Sequence, residues 1–392
     1  MRRLLVLTPL LALAGCSSSS GSSPGGLDAS QDTSAAQNDA SADAAIDAGP
    51  DVVTDAMGDS GGDGGCDPDA DTPADLSCTG LYSDFATRAI APGVLAYTPA
   101  FILWSDGAQK SRWIYLPPGT QIDTSNMDDW TFPVGTKVWK EFRWPAPADA
   151  GAADGAAPAT KRIETRLLWK RADGWDVLVY RWSSDESSAV LFLGGATNVD
   201  GTTYEIPAVS ECYNCHQGRQ DFLLGFDLVG LGVNGAAGVT LGALVDAGLL
   251  TSAPPATSIH VPEDSTGLAA AALGFLHVNC GVTCHNDDGT AGAAATGLRF
   301  KLLAGQMYPE GGTGTVAGLD SYTTAVNVPA HLQPNCVQYM RIAPGDAGGS
   351  LVPLMALARD PDAGAFLPMP PLVSHVPDTT DVAKLKAWIN AL

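Results

Sequence analysis

Cys212-Tyr213-Asn214-Cys215-His216 and Cys280-Gly281-Val282-Thr283-Cys284-His285 carry the densest chemistry in the chain. In the first stretch two thiols flank two residues and an imidazole follows at once, the spacing of a covalent haem attachment site. Sulfurs so placed form thioethers to the two haem vinyl groups, and the next histidine presents a ring nitrogen to the iron. The second stretch keeps the Cys-His pair but separates its cysteines by three residues where two are usual. Cys212, Cys215, Cys280 and Cys284 are therefore the candidate covalent sites for two haem c groups, with His216 and His285 as proximal iron ligands. The extra residue puts one sulfur of the second site farther from its vinyl carbon.

The flanking sequence is organised around these stretches. After Val209 the pattern is helix and loop. Residues 264–279 read as a helix, with Leu268, Ala271, Ala272, Phe275 and Leu276 on one stripe, running into Cys280. Residues 381–392 place Val382, Leu385, Trp388, Ile389 and Leu392 on one face, capped by Thr379, Thr380 or Asp381. Between them lies Leu367-Pro368-Met369-Pro370-Pro371. A Met held in a Pro-rich loop suits the distal thioether ligand opposite His285, so Met369 is the candidate distal ligand. The distal ligand of the first haem is open among His260, His277, His331, His375, Met307, Met340 and Met355.

Before Val209 the signals are those of strands. Residues 101–105, 111–116, 137–144, 162–170, 175–182 and 189–193 are short aromatic and aliphatic runs separated by turn formers such as Pro117-Pro118-Gly119. Residues 149–158 read as an exposed loop between two strands. Regular short strands predict an antiparallel β-sandwich, with its many tryptophans packed between two sheets. Arg162, Glu164 and Arg166 lie at period two, so they are expected on one face, in a cross-strand charge network with Lys137, Lys140 and Glu141. The expected fold is thus multidomain, β then α: a sandwich-like domain over 78–209 and a mainly α dihaem domain over 210–392.

The N-terminus sets the compartment. Met1-Arg2-Arg3 precedes an apolar run to Leu13, and Leu13-Ala14-Gly15-Cys16 has the pattern of a lipoprotein cleavage site, making residues 1–16 a signal peptide and Cys16 the lipidated residue. The run is too short to span a bilayer, so the membrane is reached through the lipid anchor only, with an outer-membrane address in the cell envelope. Residues 17–77, rich in Ser, Gly, Ala and Asp, read as a solvated tether. Asp recurs every fourth residue from 39 to 75, and stacked like charges broken by Gly and Pro oppose a helix. The tether holds thirteen of the forty-three acidic residues, so the net charge of −22 overstates the folded part. That part is still acidic, which argues against nucleic acid and favours a basic redox protein as partner. Cys66, Cys78 and Cys336 remain for one disulfide, either Cys66–Cys78 or Cys78–Cys336.

Residues 95–392 resemble a group of bacterial dihaem c-type cytochromes with a β-rich N-terminal half. The resemblance is carried by Trp104-Ser-Asp-Gly-Ala-Gln-Lys, Phe132-Pro-Val-Gly-Thr, Ile163-Glu-Thr-Arg-Leu-Leu, Glu211-Cys-Tyr-Asn-Cys-His, Asn279-Cys, Cys284-His-Asn, Gly297-Leu, Pro344-Gly-Asp and Met369-Pro-Pro. The leading function class for two such haems is electron transfer rather than bond-making chemistry, with the chain setting ligands, burial and haem placement. Two other function classes compete: a peroxidase-like dihaem oxidoreductase, which needs an open iron position, and a surface binding module with accessory haems. At the motifs themselves the competitors are a four-thiolate zinc site and a pair of local disulfides. Both leave the histidine after each cysteine pair unexplained.

Overall fold

Period-two alternation between Val94 and Leu191 builds a meander of neighbouring antiparallel strands. The computed structural model describes residue 66 and residues 71–145, 160–309, 312–360, 366–371 and 373–392. The signal peptide, Cys16, the tether up to residue 65 and the 149–158 loop lie outside the described residues. A two-stranded sheet pairs β1 (Tyr82–Asp84) with β2 (Ala89–Ile90). The main sheet contains β3 (Val94–Thr98), β4 (Gln109–Tyr115), β5 (Lys137–Pro145), β6 (Thr160–Arg171), β7 (Gly174–Trp182), β8 (Ala189–Leu191) and β9 (Ala237–Gly238). Its order is β8-β7-β6-β5-β4-β3-β9, antiparallel throughout.

This corrects the expected sandwich. One seven-stranded sheet forms, and no second large sheet faces it among the described residues. One face is covered by the segment before β3: Leu76, Leu81 and Tyr82 pack on Trp139, Leu167, Tyr180 and Trp182. Residues 71–77, read above as the end of the tether, belong to this layer. Tyr180 Oη donates to the Pro73 carbonyl, and a Cys66–Cys78 disulfide pins the segment. The other face is covered by the C-terminal half, where Ile114, Val138 and Val177 share a core with Phe222, Phe226, Leu273, Phe300 and Trp388. Strands buried on both faces look alike in sequence whether sheet or helix covers them, so the alternation alone could not choose.

The C-terminal half is likewise not a mainly α domain. Its helices are α1 (Val209–His216), α2 (Leu228–Gly232), α3 (Leu241–Asp246), α4 (Ala269–Leu276), α5 (Ala304–Met307), α6 (Asp320–Thr323), α7 (Leu351–Leu357) and α8 (Thr379–Ala391). Only α8, with 13 residues, exceeds eight. Gly and Pro punctuate the rest too often for longer helices. α8 starts on Asp378, whose side chain accepts from Asp381 N, and buries Val382, Leu385, Trp388 and Ile389 against α4. Cys66–Leu392 forms one compact unit. β9, from the C-terminal half, completes the sheet by pairing Gly238 with Tyr97, where a side chain at 238 would meet the Ala96 carbonyl.

A bulge changes one face assignment. Between β5 and β6 the register steps from Phe142–Glu164 to Arg143–Arg162, leaving Ile163 as the extra residue. Glu164 and Arg166 therefore face the C-terminal half, whereas Arg162 pairs with Glu141 on the opposite side. The expectation that all three share one face fails for Arg162.

Buried ion pairs lock the two halves together. Arg219, just after the first motif, donates to Asp227 Oδ2 at 2.7 Å, to Asp129 Oδ1 at 3.1 Å and to the Asp128 carbonyl at 3.1 Å. Lys301 reaches the other Asp129 oxygen at 2.6 Å. Removing one partner of such a cluster strands the others in a dry interior. Arg219→Met is expected to lower stability by about 3–5 kcal/mol, read from the urea unfolding midpoint at constant slope.

Candidate functional site

The first motif occupies α1 and the turn after it. Glu211 bonds the Ala208 N–H at 2.8 Å, which holds the first turn, and Cys212, Cys215 and His216 follow on the helix. Beyond it, Asp221 accepts from Phe132 N at 2.6 Å and Trp175 Nε1 at 2.9 Å and pairs with Lys170. This anchoring sits beside Phe222, a non-glycine residue in the left-handed region at φ 65°. The Phe222 carbonyl lies 2.7 Å from His216 Nδ1. A carbonyl can only accept, so Nδ1 carries the proton and Nε2 keeps its lone pair for a metal. Burial pushes the His216 imidazole down to about 4, so it is neutral near pH 7.

The second motif grows out of α4. Helix hydrogen bonding widens there to a π turn over His277–Gly281, with Val282 N donating to the His277 carbonyl. A second wide turn has His285 N donating to the Cys280 carbonyl at 2.8 Å. An added residue in a helix is commonly absorbed in this way, which accommodates the third residue between Cys280 and Cys284. Gly281 is required here, since a Cβ would strike the backbone of Phe300 and Lys301. His285 Nδ1 is buried without a hydrogen-bond partner. Burial pushes this imidazole also down to about 4.

The two motifs interlock. Gly218 packs directly on the Thr283 carbonyl, Asn286 Nδ2 donates to the Gly218 carbonyl at 3.2 Å, and Thr290 Oγ1 donates to the Gln217 carbonyl. All four motif cysteines are free thiols. Burial, with neighbouring thiols adding to it, raises Cys215 to about 11 and Cys280 to about 12, and burial raises Cys212. These three are therefore neutral near pH 7. The local disulfides do not form. Among the described residues no three His, Cys, Asp or Glu side chains gather as a metal ion would need.

One cleft collects the chemistry. Cys212, Cys215, His216, Cys280, Cys284 and His285 all line it, together with Met369 from the Pro-rich loop. The loop that carries Met369 is held at its far end: Asp106 accepts from His375 N at 2.7 Å and Ser374 Oγ at 2.9 Å, and Trp104 Nε1 donates to the Val376 carbonyl at 2.7 Å. Cys16 lies outside the described residues.

Of the open distal candidates, none lines this cleft. Met307 and Met355 are core residues, and Met340 is exposed. His375 Nε2 meets Glu205 at 2.6 Å. His277 is buried with Nδ1 accepting from Leu302 N at 2.9 Å, a structural role. The sheet supplies the wall that sequence reading missed. Val138, Leu168 and Val177 form one apolar row across it, and Arg112, Lys140 and Arg166 form the next. Burial first, then Arg112, Lys110 and Arg166, push Lys140 well below the usual lysine range. Period-two charges along β4, β5 and β6 were a visible signal, but the register that aligns them was not. Comparison with protein families, characterised proteins and solved structures finds no match to this chain.

Two expectations test this packing. Gly218→Ala forces a methyl into the Thr283 carbonyl and is expected to cost about 1–3 kcal/mol, seen as a lower Tm. His277 has its folded pKa depressed to about 4 from 6.5. Its contribution is present above pH 6.5 and is lost as pH falls toward 4, because the unfolded chain binds the proton first. The urea midpoint should fall across that window, and His277→Gln should flatten the dependence by up to about 1.4 kcal/mol per pH unit.

Proposed function

We propose that this protein is a lipid-anchored dihaem c-type cytochrome that transfers electrons at the bacterial cell envelope. The observation that carries the reading is the convergence of both Cys-His motifs and Met369, about 150 residues apart in sequence, on one cleft. The residues fit the group. Four free thiols, three of them held neutral by burial, suit addition to vinyl carbons, in which the S–H adds across the double bond. His216 is held in the tautomer that leaves Nε2 available to iron.

When bound, haem supplies a reversible one-electron couple at its iron. The chain's work is then to hold, bury and orient. His216 and His285 offer neutral imidazoles from the motifs. Met369 offers a thioether, a ligand that favours reduced iron and raises the potential. The sheet wall and the Asp106-held loop form two sides of the cleft. Cys16 would carry the lipid, and the acidic exterior suits a basic redox partner.

A second reading, an oxidoreductase with an open coordination position opposite His216, is favoured by the absence from the cleft, among the described residues, of every distal candidate except Met369.

Expression with cytochrome c maturation should yield two covalent haems per chain by mass. Cys212→Ala with Cys215→Ala should halve that ratio, and an unchanged ratio would sink the proposal. Met369→Ala should open one haem to carbon monoxide and Met369→His should lower its potential. Carbon monoxide binding by the unaltered reduced protein would move weight to the oxidoreductase reading.

A further inference from the structure

We infer that Arg112, Lys140 and Arg166 form an anion site that takes the carboxylate side chains of a porphyrin bound in the cleft. The inference rests on the haem reading above. The register sets Arg112 opposite Lys140 and Lys140 opposite Arg166 on the cleft face of three adjacent strands. Like charges directly opposite one another in a sheet are destabilising. A row of three is maintained only where something of opposite charge lies against it.

The chain itself neutralises one of the three. Arg166 is paired with Glu164 through two hydrogen bonds, 2.9 Å and 2.5 Å long. Arg112 is 6% exposed, and its Nη1 is buried without a hydrogen-bond partner. Lys140 Nζ makes no hydrogen bond or ion pair among the described residues; its neighbour is the Phe142 ring at 5.0 Å. The other carboxylates lining the cleft are engaged elsewhere. Asp106 holds the 374–376 backbone, Glu211 bonds the Ala208 N–H, and Glu205 meets His375. Two basic groups thus face the cleft with no carboxylate hydrogen-bonded to them, and burying either one as an unpaired charge is costly.

The neighbouring row tells the kind of anion. Val138, Leu168 and Val177 lie two residues along each strand from Lys140, Arg166 and Val179, on the same face. An apolar strip beside a cationic strip matches a flat apolar ring system with carboxylates along one edge. A small, wholly polar anion would leave the apolar row unused. Guanidinium groups also meet carboxylates in paired hydrogen bonds, and Arg112 has the free donor for one. The helix of the first motif packs against β7, the strand beside Arg166 on β6, so the haem concerned is the one on the first motif.

The test uses the full-length protein carrying its haems, with Lys140→Met, Lys140→Arg and Arg112→Gln. Both haems should stay attached in all three, since no cysteine is touched. In Lys140→Met and Arg112→Gln the potential of one haem should fall, and its propionate bending bands in the resonance Raman spectrum should shift. Lys140→Arg, which keeps the charge, should leave both near the parent. Should Lys140→Met fail to accumulate, Arg112→Gln reads the same contact. Parent-like potentials and bands in the charge-removing variants, with two haems attached, would overturn the inference alone. A parent chain that attaches no haem would overturn the reading beneath it. Added succinate should change nothing; a saturable shift in the parent that Lys140→Met abolishes would assign the row to a diffusible anion instead.

Discussion

A sheet whose strands are apolar on both sides must be covered twice, and this chain covers its sheet without building a second one. Trp139, Leu167, Tyr180 and Trp182 turn one way, under the segment that runs from Pro73 to Tyr82. Ile114, Val138 and Val177 turn the other way and share a core with the C-terminal half. The strand period of two makes this division automatic once the register is set. Everything about the cleft follows from it. The cleft is the part of the second face that side chains do not fill, and the cysteine motifs are packed along its other wall.

That wall is held by buried polar contacts as well as by apolar packing. Arg219, Asp129, Asp227 and Lys301 join the first motif's turn to the loop before β5 and to the chain beyond the second motif. Asp221 anchors the turn whose next carbonyl orients His216. In a low-dielectric interior such contacts contribute geometry more surely than net stability. Here the geometry concerned is the direction of an imidazole lone pair. The wide helical turns at His277 and Cys280 are a second instance, since they take up an inserted residue and still leave Cys280, Cys284 and His285 facing the cleft.

Much of the local structure was legible in the sequence, and the long-range structure was not. Residues 137–144, 162–170 and 175–182 read as strands and lie within β5, β6 and β7. The stripe of Val382, Leu385, Trp388 and Ile389 read as a helix face and is buried in α8. The pattern favours a sandwich and a mainly α second half, and the structure has neither, because burial on both faces does not say what does the burying. Arg162 lies on the face opposite to the one its spacing predicts because a bulge at Ile163 shifts the register by one residue, an event with no clear mark in composition. The candidate site residues Cys212, Cys215, His216, Cys280, Cys284, His285 and Met369 were legible because their chemistry depends on short spacings and on a local Pro-rich loop.

By itself the sequence determined which residues carry the reactive groups, where strands and the last helix run, and that the N-terminus resembles a lipoprotein leader. These depend on neighbours within a few positions, where chain geometry is nearly the same in any fold. Only the tertiary structure decided that both motifs open on one cleft, that Gly218 must be small to seat against Thr283, and that Arg112, Lys140 and Arg166 stand in one row. Each of these joins residues tens of positions apart. Their meeting is set by strand register and by the closing of one core, which no local spacing encodes.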